Sequence, residues 1–98
     1  MMNLTTQSLL VVVAESAIEQ GLLRGIESLG VSGFTITQAR GKGTRGLRAS
    51  EWDADVNIRV EIVCDSTTAS AILHYVNEQY AADYAVFVYT HEVRVSGA

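Results

Sequence analysis

The sequence predicts one α+β domain of βαββαβ order, the ferredoxin-like split βαβ arrangement with an antiparallel four-stranded sheet and two helices on one face. Three observations predict it. A valine-rich run is followed by apolar residues at helical spacing, and the same succession returns in the second half of the chain. Between the halves, two segments alternate apolar and polar residues as half-buried strands do. The 98 residues give room for a single core, residues 1–98, and for no second domain.

Ser8 to Ala14 is short and rich in leucine and valine, and reads as a buried first strand; Met1 to Thr6 reads as a frayed polar start. Ser16, Ala17, Ile18 and Glu19 have the form of a capping box, with serine and glutamate three apart at a helix start. Ile18, Leu22, Ile26 and Leu29 then follow on one helical face, and Gly30 supplies the left-handed stop. Gly33 to Arg40 reads as the second strand, with Phe34 and Ile36 on one side and Thr35 and Thr37 on the other. Asp55 to Cys64 reads as the third, with Val56, Ile58, Val60 and Ile62 against Asn57, Arg59 and Glu61. Asp65 or Ser66 caps a second helix whose inner stripe is Ala69, Ile72, Val76 and Tyr80. Asp83 to Val95 is the last strand.

The first and last strands carry apolar residues on both sides: Leu9, Val11 and Val13 against Leu10 and Val12, and Ala85, Phe87 and Tyr89 against Val86 and Val88. Two helices bury one side of a sheet. The other side would be a large apolar patch in a lone subunit, so the pattern predicts a homo-oligomer packed through the open sheet face.

A net charge of -4 argues against general nucleic-acid binding, yet four of the seven Lys and Arg residues crowd between positions 40 and 48. Cys64 is the one cysteine, so an intrachain disulfide is impossible and a reducing cytoplasm fits best. Leu9 to Ala14, the longest apolar run, is too short to span a membrane and has no basic flank. The crowded cations lie on a loop of about fourteen residues, Gly41 to Ala54, which is long for a strand connection. Gly41, Gly43 and Gly46 allow backbone amides to turn toward an anion, and arginine grips phosphate oxygens with paired donors. The spacing is neither a Walker loop nor a Rossmann fingerprint. Composition alone leaves two readings open: an anion clasp, and a solvated disordered hairpin.

The stretch GVSGFTITQARGKG, residues 30 to 43, resembles the PII and PII-like signalling proteins, where it runs from the first helix through the second strand into the base of the T-loop. GKGTRGLRAS (41 to 50) resembles in particular the loop of PII-like proteins tied to inorganic carbon uptake, those associated with bicarbonate transporters and with carboxysomes. NIRVEI (57 to 62) and YAADYAVFVYTHEV (80 to 93) resemble the same family's later strands. The resemblance implies a homotrimer that binds adenine nucleotides between subunits and regulates bicarbonate uptake or carbon fixation, without catalysis and without membrane insertion. It implies that Gly41, Lys42 and Gly43 wrap the phosphates and that Arg45 and Arg48 pair with phosphate charge. Thr35 would face the nucleotide, and Phe34, Ile36 and Tyr89 would wall the base. QYAADYA lacks the glycine- and lysine-rich loop that better-known PII proteins carry before the last strand, which points to AMP or ADP, with cyclic AMP a further candidate, over ATP. Bicarbonate as a second ligand follows from the carbon-linked subgroup alone. The tyrosine modified in some PII T-loops has no counterpart between 41 and 54.

Two other function classes stay in view. A nucleotide-hydrolysing enzyme would need a nucleophile, base or metal cluster near the loop, and the sequence offers no convincing one. A structural trimer like the divalent-cation-tolerance proteins needs no ligand at all. His74 and Glu78, one helical turn apart, read as a solvated surface pair. His91 and Glu92 are strand neighbours pointing to opposite faces, which speaks against a shared metal. Cys64 reads as a small buried side chain, and Glu51, Asp53 and Asp55 as a solvated acidic run around Trp52, a residue type that anchors protein contacts.

Overall fold

A computed structural model describes residues 3–41 and 57–97. Its elements are β1 (Leu4–Glu15), a 3-10 turn (Ser16–Ile18), α1 (Glu19–Ser28), β2 (Thr35–Gln38), β3 (Asn57–Cys64), α2 (Ser66–Tyr80) and β4 (Val86–Ser96). The strands form one sheet in the order β2-β3-β1-β4, and every neighbouring pair is antiparallel. This is the predicted βαββαβ architecture.

The two apolar sides of β1 meet different surroundings. Leu10, Val12 and Ala14 point toward the helices and join Ile58, Val60 and Ile62 of β3 in the core. Leu22 and Ile26 of α1, with Ala69, Ile72 and Val76 of α2, close over them. Every residue in that seam except Ile58 and Ala69 is wholly buried, and those two are nearly so. Burying one such side chain contributes on the order of 1.5–3 kcal/mol, so this face holds the fold together. Both helices lie on it, which leaves the far side of the sheet uncovered.

Helix packing depends on two glycines that sequence periodicity does not explain. A Cβ added at Gly25 would collide with the Tyr75 ring, and one at Gly21 would lie 2.9 Å from the Tyr80 hydroxyl. Tyr75 therefore lies directly against α1, donating its hydroxyl to the Gly21 carbonyl at 3.3 Å and meeting Tyr80 edge to face at 6.0 Å. Burial, then the neighbouring Tyr80, push the Tyr75 phenol up to about 12.

Several boundaries move from where the pattern put them. The first strand begins at Leu4, because the long β4 supplies partners for the segment read as frayed: Leu4 pairs with Ser96, Thr5 with Val95 and Thr6 with Arg94. The capping box does not form. Ser16 lies inside the 3-10 turn rather than ahead of the helix, and neither that turn nor α1 receives a side-chain cap. Leu29, expected on the inner stripe, follows the end of α1 and is exposed. Gly30 does adopt the left-handed stop, at φ 96°. On the second helix, Asp65 is the cap: its carboxylate accepts the Thr68 amide at 2.7 Å, a bond that holds its pKa below the usual carboxylate value. β2 pairs over four residues only. Asn57, assigned to the polar side of β3, is buried at 1% exposure.

Candidate functional site

The loop that carries the basic cluster is anchored where β2 leaves the sheet. Gln38 is the last residue of β2 in register with β3, opposite Ile58, and the Ala39 amide then donates to the Asn57 carbonyl at 3.1 Å. Arg40 and Gly41 are exposed beyond that bond. Lys42, Gly43, Arg45 and Arg48, together with Trp52 and its acidic neighbours, lie outside the described residues.

Register places the other predicted residues on definite faces. Thr35 pairs with Glu61, Glu61 with Val11, and Val11 with Tyr89, so these side chains form one row across all four strands on the uncovered face. The next row is Thr37, Arg59, Val13 and Phe87. Within these rows Arg59 Nη2 lies 3.0 Å from Glu61 Oε2, and the Phe87 and Tyr89 rings sit 5.5 Å apart. Val63 and Phe87, on the same face, are 51% and 53% exposed. Alternation turns Phe34 and Ile36 the other way, where they pack against the helix-side core.

Thr35 and Tyr89 thus share a face yet stand on opposite edge strands, three strand spacings or about 14 Å apart. One subunit does not bring them to a common ligand. A site that used both would need a second copy of the chain laid against the sheet.

A further group gathers at the end of the sheet where the basic loop is rooted, and sequence reasoning did not find it. Glu15, the last residue of β1, stands opposite Asn57, and its carboxylate accepts the Ala85 amide at 2.8 Å. The turn before β4 is closed by two more bonds, from the Asp83 and Tyr84 amides to the Tyr80 carbonyl, at 3.2 and 3.0 Å. No local signal could have joined Glu15 to Ala85, since seventy residues separate them.

Shape and chemistry point to different places. A groove of about 330 Å³ runs between α2 and β4, lined by Leu73, Asn77, Ala81, Tyr84 and the start of β4. Among the described residues it is lined by no charged side chain, so it offers nothing to neutralise a phosphate. His74 and Glu78 are exposed, as read from the sequence. Among the described residues no group of three metal-binding side chains occurs and no helix is long and apolar enough to cross a membrane. Cys64 is half-buried rather than buried; burial and then the adjoining Asp65 raise its thiol.

The strand order and the loop rooted between β2 and β3 define a ferredoxin-like domain with a basic insertion. Within that class the chain belongs to the P-II family, matching Nitrogen regulatory protein P-II over residues 7–96. It is 40% identical to a PII-like signalling protein from Thermus thermophilus, over 95% of this chain and 92% of that one, with a TM-score of 0.78. CPII, a nitrogen regulatory PII-like protein from Thiomonas intermedia solved with ADP, AMP and bicarbonate, shares the fold at 19% identity, 95% and 98% coverage and a TM-score of 0.78. The GlnK–ATP complex of B. subtilis also shares it, at 19% identity, 88% and 82% coverage and a TM-score of 0.60.

Proposed function

We propose that the protein is a homotrimeric PII-like regulator, not a catalyst, that binds AMP or ADP between subunits and controls inorganic carbon uptake or fixation. The observation that carries this reading is the placement of the basic loop's root, at Ala39 and Asn57, at one end of an uncovered sheet face in a P-II chain. A second subunit on that face would cover Phe87 and Val63 and bring Thr35 and Tyr89 from neighbouring copies toward one cleft. Gly41, Lys42 and Gly43 then wrap the phosphates, and Arg45 and Arg48 supply paired donors. Phe34 and Ile36 support the strand from the core side. Ligand engagement by the loop changes the surface offered to a partner, a bicarbonate transporter or a carbon-fixation protein. The nucleotides and bicarbonate held by CPII support this ligand set, with cyclic AMP and ATP as weaker alternatives.

Calorimetry with AMP, ADP, ATP and cyclic AMP, with and without bicarbonate, tests the reading. Binding of ADP or AMP that weakens at least about tenfold in Arg45→Ala supports it, as loss of a charge-assisted bidentate contact should. No binding by any nucleotide, or unchanged binding in Arg45→Ala, overturns it. Steady product formation would favour a nucleotide hydrolase instead. Faster hydrogen exchange at 41–54 without nucleotide than with it is the expected mark of the loop's response.

A further inference from the structure

On the open face of the sheet, β4 presents a column that is apolar except at its middle. Alternation sets Phe87, Tyr89, His91, Val93 and Val95 on that face. His91 stands opposite Leu9 of β1, and Leu9 stands opposite Val63 of β3, which is 51% exposed. Phe87, two rows away, is 53% exposed, and His91 itself is exposed. A body that shields Val63, Leu9 and both ends of the column also lies over His91.

Among the described residues, no free carboxylate stands near enough to hold a charge on this imidazole. Glu61, on the same face, is two strand spacings over and one row along, about 12 Å away, and is already paired with Arg59 at 3.0 Å. Glu15 ends β1 six residues beyond Leu9, ~20 Å along the strand, and is tied to the Ala85 amide. Asp65, just past the end of β3, turns to α2 and accepts the Thr68 amide. Glu92 and Arg94, beside His91 on β4, point to the other face, and the titratable neighbour along the column is Tyr89.

We propose that His91 makes self-association of this chain pH-sensitive: a second copy on the open face covers the imidazole among apolar side chains, and the copies part when it gains a proton. The proposal rests on the self-association through this face proposed above. A second copy fits because the centre of the face is apolar and its Arg59–Glu61 pair is balanced, so copies of a chain of net charge -4 meet there without repulsion. Burial with no opposite charge at hand disfavours the charged form of a histidine. Histidine in water gains its proton near pH ~6.5. Below that value free subunits take up protons that assembled ones exclude, so lowering the pH draws the equilibrium toward free subunits.

The test is sedimentation equilibrium of the full chain at about pH 8 and about pH 5.5, at one ionic strength, with His91→Gln, His91→Lys and His74→Gln alongside. Expected for the unmutated protein is a rise of at least about tenfold in the concentration at half-assembly on going to the lower pH. His91→Gln, neutral at both values, should lose that rise, and His91→Lys, charged at both, should assemble poorly throughout. His74→Gln, altered on the exposed side of α2, should respond as the unmutated protein does. Far-UV circular dichroism should stay the same at both pH values, since the helix-side core is untouched. Half-assembly at equal concentrations in the unmutated protein, or a response that persists in His91→Gln, overturns the role of His91 alone. A chain that stays monomeric at the higher pH overturns self-association through this face, and this role with it.

Discussion

The two faces of the sheet are built from the same strands and behave as different surfaces. On β1, Leu10, Val12 and Ala14 are wholly buried under the helices, while on the other side Val11 is wholly buried as well but its neighbours Leu9 and Val13 are only half-buried. On β4, Val86 and Val88 pack against the core, whereas Phe87 between them is 53% exposed. Hydrophobicity at a strand position therefore does not say which duty it serves. The helix-side residues make the fold, and the open-side residues make a surface that a lone subunit leaves wet.

The largest expected effect falls on the covered face. Leu10→Ala should cost about 2–5 kcal/mol in denaturant unfolding, since the closed core cannot collapse around the cavity. Leu9→Ala, one residue away, should cost less than half as much at concentrations where single subunits dominate, and its cost should grow with protein concentration if copies cover that face. Equal, concentration-independent costs would erase the distinction between the faces.

Next in size is the helix contact. Gly25→Ala places a methyl group against the Tyr75 ring and should destabilise by about 1–3 kcal/mol, seen as a lower thermal midpoint. The Tyr75 phenol, pushed up to about 12, makes a pH prediction. Its folded value lies above the unfolded value of about 10, so its contribution is present below pH ~10 and lost as pH rises toward ~12. Tyr75→Phe should flatten the fall in stability across that window, and an unchanged slope would place the titration elsewhere. The smallest effect belongs to Arg59→Ala on the open face, at most about 0.5 kcal/mol for an isolated subunit, because the pair with Glu61 is about two-fifths exposed and screened by solvent.

Much of this contrast was legible in the sequence. Alternation in β2 and β3 and the inner stripes of both helices gave most of the covered face, Leu29 being misplaced on it and Val56 lying outside the described residues, and the two-sided apolar character of β1 and β4 gave the uncovered one. What local pattern could not supply were features made by distant partners. Leu4 to Thr6 became strand because the far end of β4 lies beside them. Ser16 and Glu19 match a cap in spacing, yet the tight 3-10 turn takes Ser16 out of the capping position. Gly21 and Gly25, four apart within a helix, did carry a readable signal, because glycine there weakens the helix unless something must approach closely. For the candidate site, Gly41 and the basic loop stood out by composition. Glu15 did not, since its part depends on Asn57 across a ladder and on Ala85 beyond α2.

Native mass spectrometry of the unmutated protein with ADP tests most directly the claim that the open face joins copies into a nucleotide site. Each subunit has a mass of 10.6 kDa, so a species of three subunits, about 32 kDa, carrying bound ADP is the expected result. A 10.6 kDa monomer across micromolar concentrations, or a trimer that retains no ADP, would contradict it.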